Sequence, residues 1–146
     1  MISVNKKDKP EVVDVAKRFH EDGFKIIATG KTCDLLNESG IRTEKVKKLY
    51  EGRPNILDMI TNGKIDLVVN SPAGKESVHD DSYLRKAAIK AKIPYMTTIA
   101  AAKATAEGIG YVKAHMEENN GVKSLQQMHS EIQSKILAKH LSFQEL

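Results

Sequence analysis

Three features of this 146-residue chain predict an α/β fold: a three-layer α/β/α sandwich around a parallel sheet of about five strands. Apolar runs of strand type alternate with stretches of helical periodicity along most of its length. One run, Ile65-Asp66-Leu67-Val68-Val69, is nearly continuous in aliphatic residues, as suits a parallel strand covered on both faces. A third stretch, Phe24 to Cys33, starts as a strand and turns into a helix through Thr29-Gly30-Lys31-Thr32. A helix that begins at the carboxyl end of a strand aims unpaired N–H groups and its positive dipole end at one spot, which suits a phosphate or carboxylate.

In chain order, Met1 to Val4 reads as a first strand. Pro10 marks a helix start, with Asp8 as its expected cap. Val12, Val13, Val15, Ala16 and Phe19 form the apolar face of that helix, and Gly23 stops it. After the Thr29–Thr32 turn a helix is expected over Asp34 to Ser39, then a less regular strand over Ile41 to Leu49. Glu51-Gly52-Arg53-Pro54 reads as a turn whose Pro54 opens a helix through Ile56, Leu57, Met59 and Ile60. The Ile65–Val69 strand follows Asn62-Gly63 and leads into the polar loop Asn70 to Lys75. A helix within Val78 to Lys92 precedes a last strand, Ile93 to Thr98. A helix from Ala100 is expected to break at Gly108-Ile109-Gly110 and resume at Tyr111 to Glu117. Asn119-Asn120-Gly121 breaks the chain again. Ser124 to Leu141 reads as a terminal helix, its stripe Leu125, Met128, Ile132, Ile136 and Leu137 expected to pack as core.

Composition narrows the function. The chain is 40% hydrophobic and 29% charged, as a single globular domain is. Its formal charge is +4, but the basic residues are dispersed, and only Lys45, Lys47 and Lys48 cluster. Aromatics make up 5% with no Trp, a poor basis for stacking single-stranded nucleic acid. Anionic small molecules fit better than nucleic acid or a membrane. The single cysteine, Cys33, rules out an intrachain disulfide and a Cys-based zinc site, and fits a reducing cytoplasm. No metal and no cofactor is expected.

The chemistry-bearing candidate is the Thr29–Thr32 turn. Gly30 lets the backbone come close, the threonines offer hydroxyls and Lys31 adds charge. Neither G-x-x-x-x-G-K-[ST] nor G-x-G-x-x-G is present. Two more polar loops, Asn70–Lys75 and Thr97-Thr98, are expected at carboxyl strand ends, where ligands bind in such sheets. The Arg53 turn is expected to close over them from the side.

Several stretches together resemble one family: Phe24–Thr32, Glu51-Gly52-Arg53-Pro54, Asn62-Gly63 through Asn70, Leu84-Arg85-Lys86-Ala87-Ala88, Ile93 to Thr98 and Ser124 to His129. In order and spacing they are similar to the methylglyoxal-synthase-like carboxyl-terminal domain of the carbamoyl phosphate synthetase large chain. The resemblance runs to about residue 135, and Lys139 to Leu146 has no clear counterpart. It implies a single methylglyoxal-synthase-like domain over 1–146 with a regulatory role in arginine and pyrimidine biosynthesis, cytoplasmic and without catalytic residues of its own. The implied partners are a nucleotide monophosphate effector, UMP or IMP, and the synthetase domains of that large chain. Implied phosphate contacts fall on Ser3, Lys9, Thr29, Thr32 and Lys48, beside Gly30 and Lys31 of the same turn. Asn70 and Ser71 match a ribose or base subsite, and Pro72 stands where a threonine is found in the best-known bacterial members. Tyr95 and Thr97 match positions that help hold ornithine in members activated by it; the remaining ornithine contacts come from a neighbouring synthetase domain.

Two other readings stand beside this one. Methylglyoxal synthase shares the fold and eliminates phosphate from dihydroxyacetone phosphate, which needs a carboxylate base. The segment His79-Asp80-Asp81 resembles part of that enzyme, but its catalytic aspartate aligns with Arg53, which favours an anion or an ion pair with Glu51. The third reading is a structural module that mediates assembly, including a homo-oligomer.

Overall fold

A computed structural model describes residues 1–72 and 78–115, together with 124–126, 128–130 and 132–134. Two compact units divide the chain, Met1–Gly110 and Tyr111–Leu146.

The first unit holds the sheet. Its strands are β1 (Ile2–Val4), β2 (Ile26–Thr29), β3 (Thr43–Val46), β4 (Val68–Ser71) and β5 (Tyr95–Met96), all parallel, in the order β3-β2-β1-β4-β5. The helices are α1 (Lys9–Glu21), α2 (Gly30–Glu38), α3 (Ile56–Thr61), α4 (Val78–Lys90) and α5 (Ile99–Ala114), with a 3₁₀ turn at Leu49–Glu51.

Strand periodicity explains the layers. Successive side chains along a strand point to opposite faces. Ile2, Ile26, Ala28, Val69 and Met96 therefore share one face and pack with Val12, Val15, Ala16 and Phe19 of α1, Cys33 and Leu36 of α2, and Ala102 and Ala106 of α5. Met1, Ile27, Val68 and Tyr95 point the other way, against Ile56 and Ile60 of α3 and Leu84 of α4. This is the expected three-layer α/β/α sandwich with a five-stranded parallel sheet.

Local differences have identifiable causes. β3 is shorter than the predicted Ile41–Leu49: Ile41 belongs to the core, and the chain leaves the sheet after Val46 for the 3₁₀ turn. β4 starts three residues later than Ile65, and β5 is only Tyr95-Met96. Asp8 occupies the N-cap of α1, but its side chain caps nothing; it accepts from Asn5 Nδ2 at 2.9 Å. α2 begins at Gly30, four residues before the predicted Asp34. α3 is opened by Asn55, not Pro54: Asn55 Oδ1 accepts from Leu57 N, and Asp58 reaches back to Asn55 N at 2.9 Å, a reciprocal capping box. Arg53 pairs with Asp58 at 3.1 Å rather than with Glu51, and it is not in the lining of the cleft described below.

α5 runs straight through Gly108 and Gly110, where a break was predicted. Both glycines have helical rather than positive φ, so the helix accepts their entropic cost without a bend being required. In the second unit, 125–126, 128–130 and 132–134 are helical, but Leu125, Met128 and Ile132 are exposed and not core. The remainder of the predicted terminal helix, the Asn119–Gly121 break and Ala73–Lys75 lie outside the described residues. Among the described residues no helix is long and apolar enough to cross a membrane.

Candidate functional site

In the strand order β3-β2-β1-β4-β5 the winding reverses at β1. The chain first runs outward to β2 and β3, then returns to β4 on the other side of β1. A reversal of this kind leaves a crevice beyond the carboxyl ends of the strands that flank it. A cleft of about 570 Å³ opens there, lined by Ser3 and Val4 of β1 with Asn5 after them, Thr29 at the end of β2, and Asn70 and Ser71 at the end of β4 with Pro72 after them. Lys48, Leu49, Tyr50 and Ile56 form one wall, Asp81 and Leu84 of α4 another.

Thr29 anchors the β2 side. It is the N-cap of α2 in extended conformation, yet its side chain makes no cap hydrogen bond. Its hydroxyl instead donates to Ser3 Oγ at 2.9 Å, tying the ends of β1 and β2 together. The first N–H groups of α2 thus have no side-chain cap from Thr29, and Gly30 starts the helix at φ +38°, a left-handed value that glycine adopts most readily. Lys48, two residues past Val46, the strand partner of Thr29, is half-buried, its backbone N–H donating to Glu51 Oε2 at 2.8 Å.

On the β4 side a buried polar cluster forms. Asn70 Nδ2 donates to Asp81 Oδ1 at 2.7 Å and to the Tyr95 hydroxyl at 2.6 Å. The Tyr95 hydroxyl donates to Asp81 Oδ1 at 2.6 Å, and Arg85 holds Asp81 Oδ2 at 2.7 Å. Burial, then the hydrogen bond to Asp81, pushes the Tyr95 phenol far above its ordinary value. Ser71 Oγ accepts from Asn5 N and Asn5 Nδ2, both at 3.2 Å, which joins the ends of β1 and β4.

The cleft therefore brings together Ser3, Thr29, Lys48, Asn70 and Ser71 of the sequence-predicted residues. Lys9, Lys31 and Thr32 are not in its lining: Lys9 opens α1, Lys31 is exposed on α2, and Thr32 is buried beneath that helix. Tyr95 enters only through its hydroxyl bonds to Asn70 and Asp81, and Thr97 is exposed after β5. Sequence reasoning missed Tyr50 and the role of Asp81. The Asp81–Arg85 spacing of four was the available signal for the latter. Among the described residues no cluster of acidic, histidine or cysteine side chains is arranged to hold a metal.

Comparison with known proteins accords with this architecture. The family model for the MGS-like domain matches residues 11–97. A carbamoyl phosphate synthase large chain, C-terminal section, from Aquifex aeolicus is 44% identical over 131 residues, 88% of this chain and 24% of that protein. A carbamoyl phosphate synthase large chain from Methanothrix thermoacetophila is 41% identical over 136 residues, 93% of this chain and 12% of that protein. The chain thus spans a quarter or less of the length of these relatives. A methylglyoxal synthase from Elizabethkingia anophelis NUHP1 superposes with a TM-score of 0.56 at 20% identity, covering 72% of this chain and 75% of that one, which is a likeness of fold. With the family match spanning β2 to β5 on this parallel sheet, the chain belongs to the MGS-like domain family.

Proposed function

We propose that this chain is an allosteric module of a carbamoyl phosphate synthase large chain, and that its cleft binds a nucleotide monophosphate such as UMP or IMP. The observation that carries the reading is the pairing of two kinds of chemistry across one crevice. Ser3, Thr29, Lys48 and the start of α2 suit a phosphate. Asn70 and Ser71, in the same lining, suit hydroxyl and amide groups. Similarity to large-chain relatives supports the partner, the synthetase domains. Binding would act by population shift, stabilising one arrangement of the cleft loops and of the contact with those domains. Such coupling is typically about 1–3 kcal/mol. Ornithine, if it acts here, needs groups from a neighbouring domain, so the isolated chain should bind it poorly.

Calorimetric titration with UMP, IMP and inorganic phosphate, with dihydroxyacetone phosphate turnover assayed alongside, tests the reading. Nucleotide bound more tightly than phosphate, without turnover, supports it. Turnover would instead favour a lyase, with Asp81 the carboxylate to examine first, since it is the one carboxylate in the described cleft lining. Neither binding nor turnover would leave an assembly module.

A further inference from the structure

The cleft wall contains an aromatic ring for which packing gives no reason. Tyr50 lines the cleft but is 69% exposed, and neither of the two cores includes it. Its backbone is nevertheless held. It sits in the middle of the 3₁₀ turn Leu49–Glu51, which is closed by Glu51 N donating to Lys48 O at 3.1 Å and by Lys48 N donating to the Glu51 carboxylate. The Lys48 ammonium lies 5.6 Å from the ring centroid. An anion held by Lys48 is therefore held beside an exposed aromatic ring, and the next wall residues, Leu49 and Ile56, are apolar.

We propose that Tyr50 is a specificity-determining residue that stacks on the flat, unsaturated ring of the ligand, so that the cleft selects phosphates carrying a nucleobase over bare sugar or triose phosphates. The proposal rests on the effector-site reading above and adds to it the group that reads the base. The volume agrees: about 570 Å³ is far more than a phosphate ion fills, and falls within the range of pockets for drug-sized ligands. Stacking on an aromatic side chain is tolerant of which base is presented, so Tyr50 selects for a base without choosing among bases.

The test uses the full chain and three probes: UMP, ribose 5-phosphate and inorganic phosphate. Tyr50→Ala should weaken UMP binding about 10- to 100-fold while leaving both other affinities within about twofold. Tyr50→Phe should restore UMP binding. Because the chain has no Trp, Tyr50→Trp adds a single indole whose fluorescence UMP, but not ribose 5-phosphate, should quench. UMP binding unchanged in Tyr50→Ala overturns the proposal while leaving the effector site standing. An equal loss for all three probes also overturns it, by showing that Tyr50 serves only to place Lys48. A wild-type chain that binds phosphate and UMP equally overturns it as well, and one that binds neither overturns the effector reading with it.

Discussion

The Tyr95 hydroxyl donates to Asp81 Oδ1 at 2.6 Å, and the same oxygen accepts from Asn70 at 2.7 Å. One carboxylate thus fastens α4 to Asn70 of β4 and Tyr95 of β5, with Arg85 on its other oxygen. Replacing Asp81 by Ala leaves two partly buried donors without their acceptor. The expected cost is about 1–3 kcal/mol, the penalty for an unsatisfied buried polar group. Urea unfolding measures it, and Asp81→Asn, which keeps one acceptor oxygen, should lose less. A change below about 0.5 kcal/mol, the level of an ordinary surface substitution, would show that the cluster does not hold the helix.

Tyr95 makes stability depend on alkaline pH. Its phenol is raised in the folded state, chiefly by burial, whereas in the unfolded chain it ionises near the ordinary value of about 10. Below that pH both states hold the proton and the contribution is fully present. As pH rises from about 10 toward the higher folded value, the unfolded chain ionises first and stability falls. Melting curves between pH 9 and 11 should show a decline that is smaller in Tyr95→Phe. Identical slopes in the two proteins would refute the assignment.

Much of this site is visible in the residues, and the missing parts have a physical reason. Thr29-Gly30 and Asn70-Ser71 each follow an apolar run directly, so local pattern alone puts them at strand ends. That they face one another across β1 depends on strand order, a long-range property that no local period encodes. Arg53 and Tyr50 were hidden by local geometry instead: Arg53 pairs with Asp58 of the α3 capping box five residues on, and Tyr50 became a wall residue because the chain leaves the sheet at Val46. Lys31 and Thr32 show the converse. They follow Thr29 directly, but helical geometry leaves Lys31 exposed and Thr32 buried, and neither lines the cleft.

Lys48 is the cation in the described lining of the cleft. Lys48→Ala should weaken UMP binding strongly with little change in melting temperature, because the side chain is only half-buried and takes part in no ion pair among the described residues. Titration against phosphate as well as UMP checks that the loss lies in the anion. Full affinity in the variant would remove the phosphate site from this wall.

Thr29 separates binding from folding less cleanly, since it is 3% exposed and its hydroxyl already donates to Ser3. Thr29→Ala should cost phosphate binding about 1.5–3 kcal/mol, the worth of a hydrogen bond to a charged group. Loss of the Ser3 contact should cost the unliganded protein only about 0.5–1.5 kcal/mol. A fall in unliganded stability as large as the fall in binding would mark Thr29 as structural.

Gly108 turns a failed expectation into a gain. It lies inside α5, its φ is not positive, and a Cβ added there would meet nothing within 4 Å. A glycine in a helix interior costs roughly 0.5–1 kcal/mol relative to alanine, because the unfolded chain has more backbone freedom to lose. Gly108→Ala should therefore stabilise the protein by about that amount. At Gly110 an added Cβ would meet the Asp22 carboxylate at 3.5 Å, an ordinary van der Waals contact, so the same change is accommodated there. Thermal or urea unfolding decides the matter. A stabilised Gly108→Ala with unaltered UMP binding fits a continuous helix, whereas destabilisation would mean that the chain bends at Gly108, as its sequence first suggests.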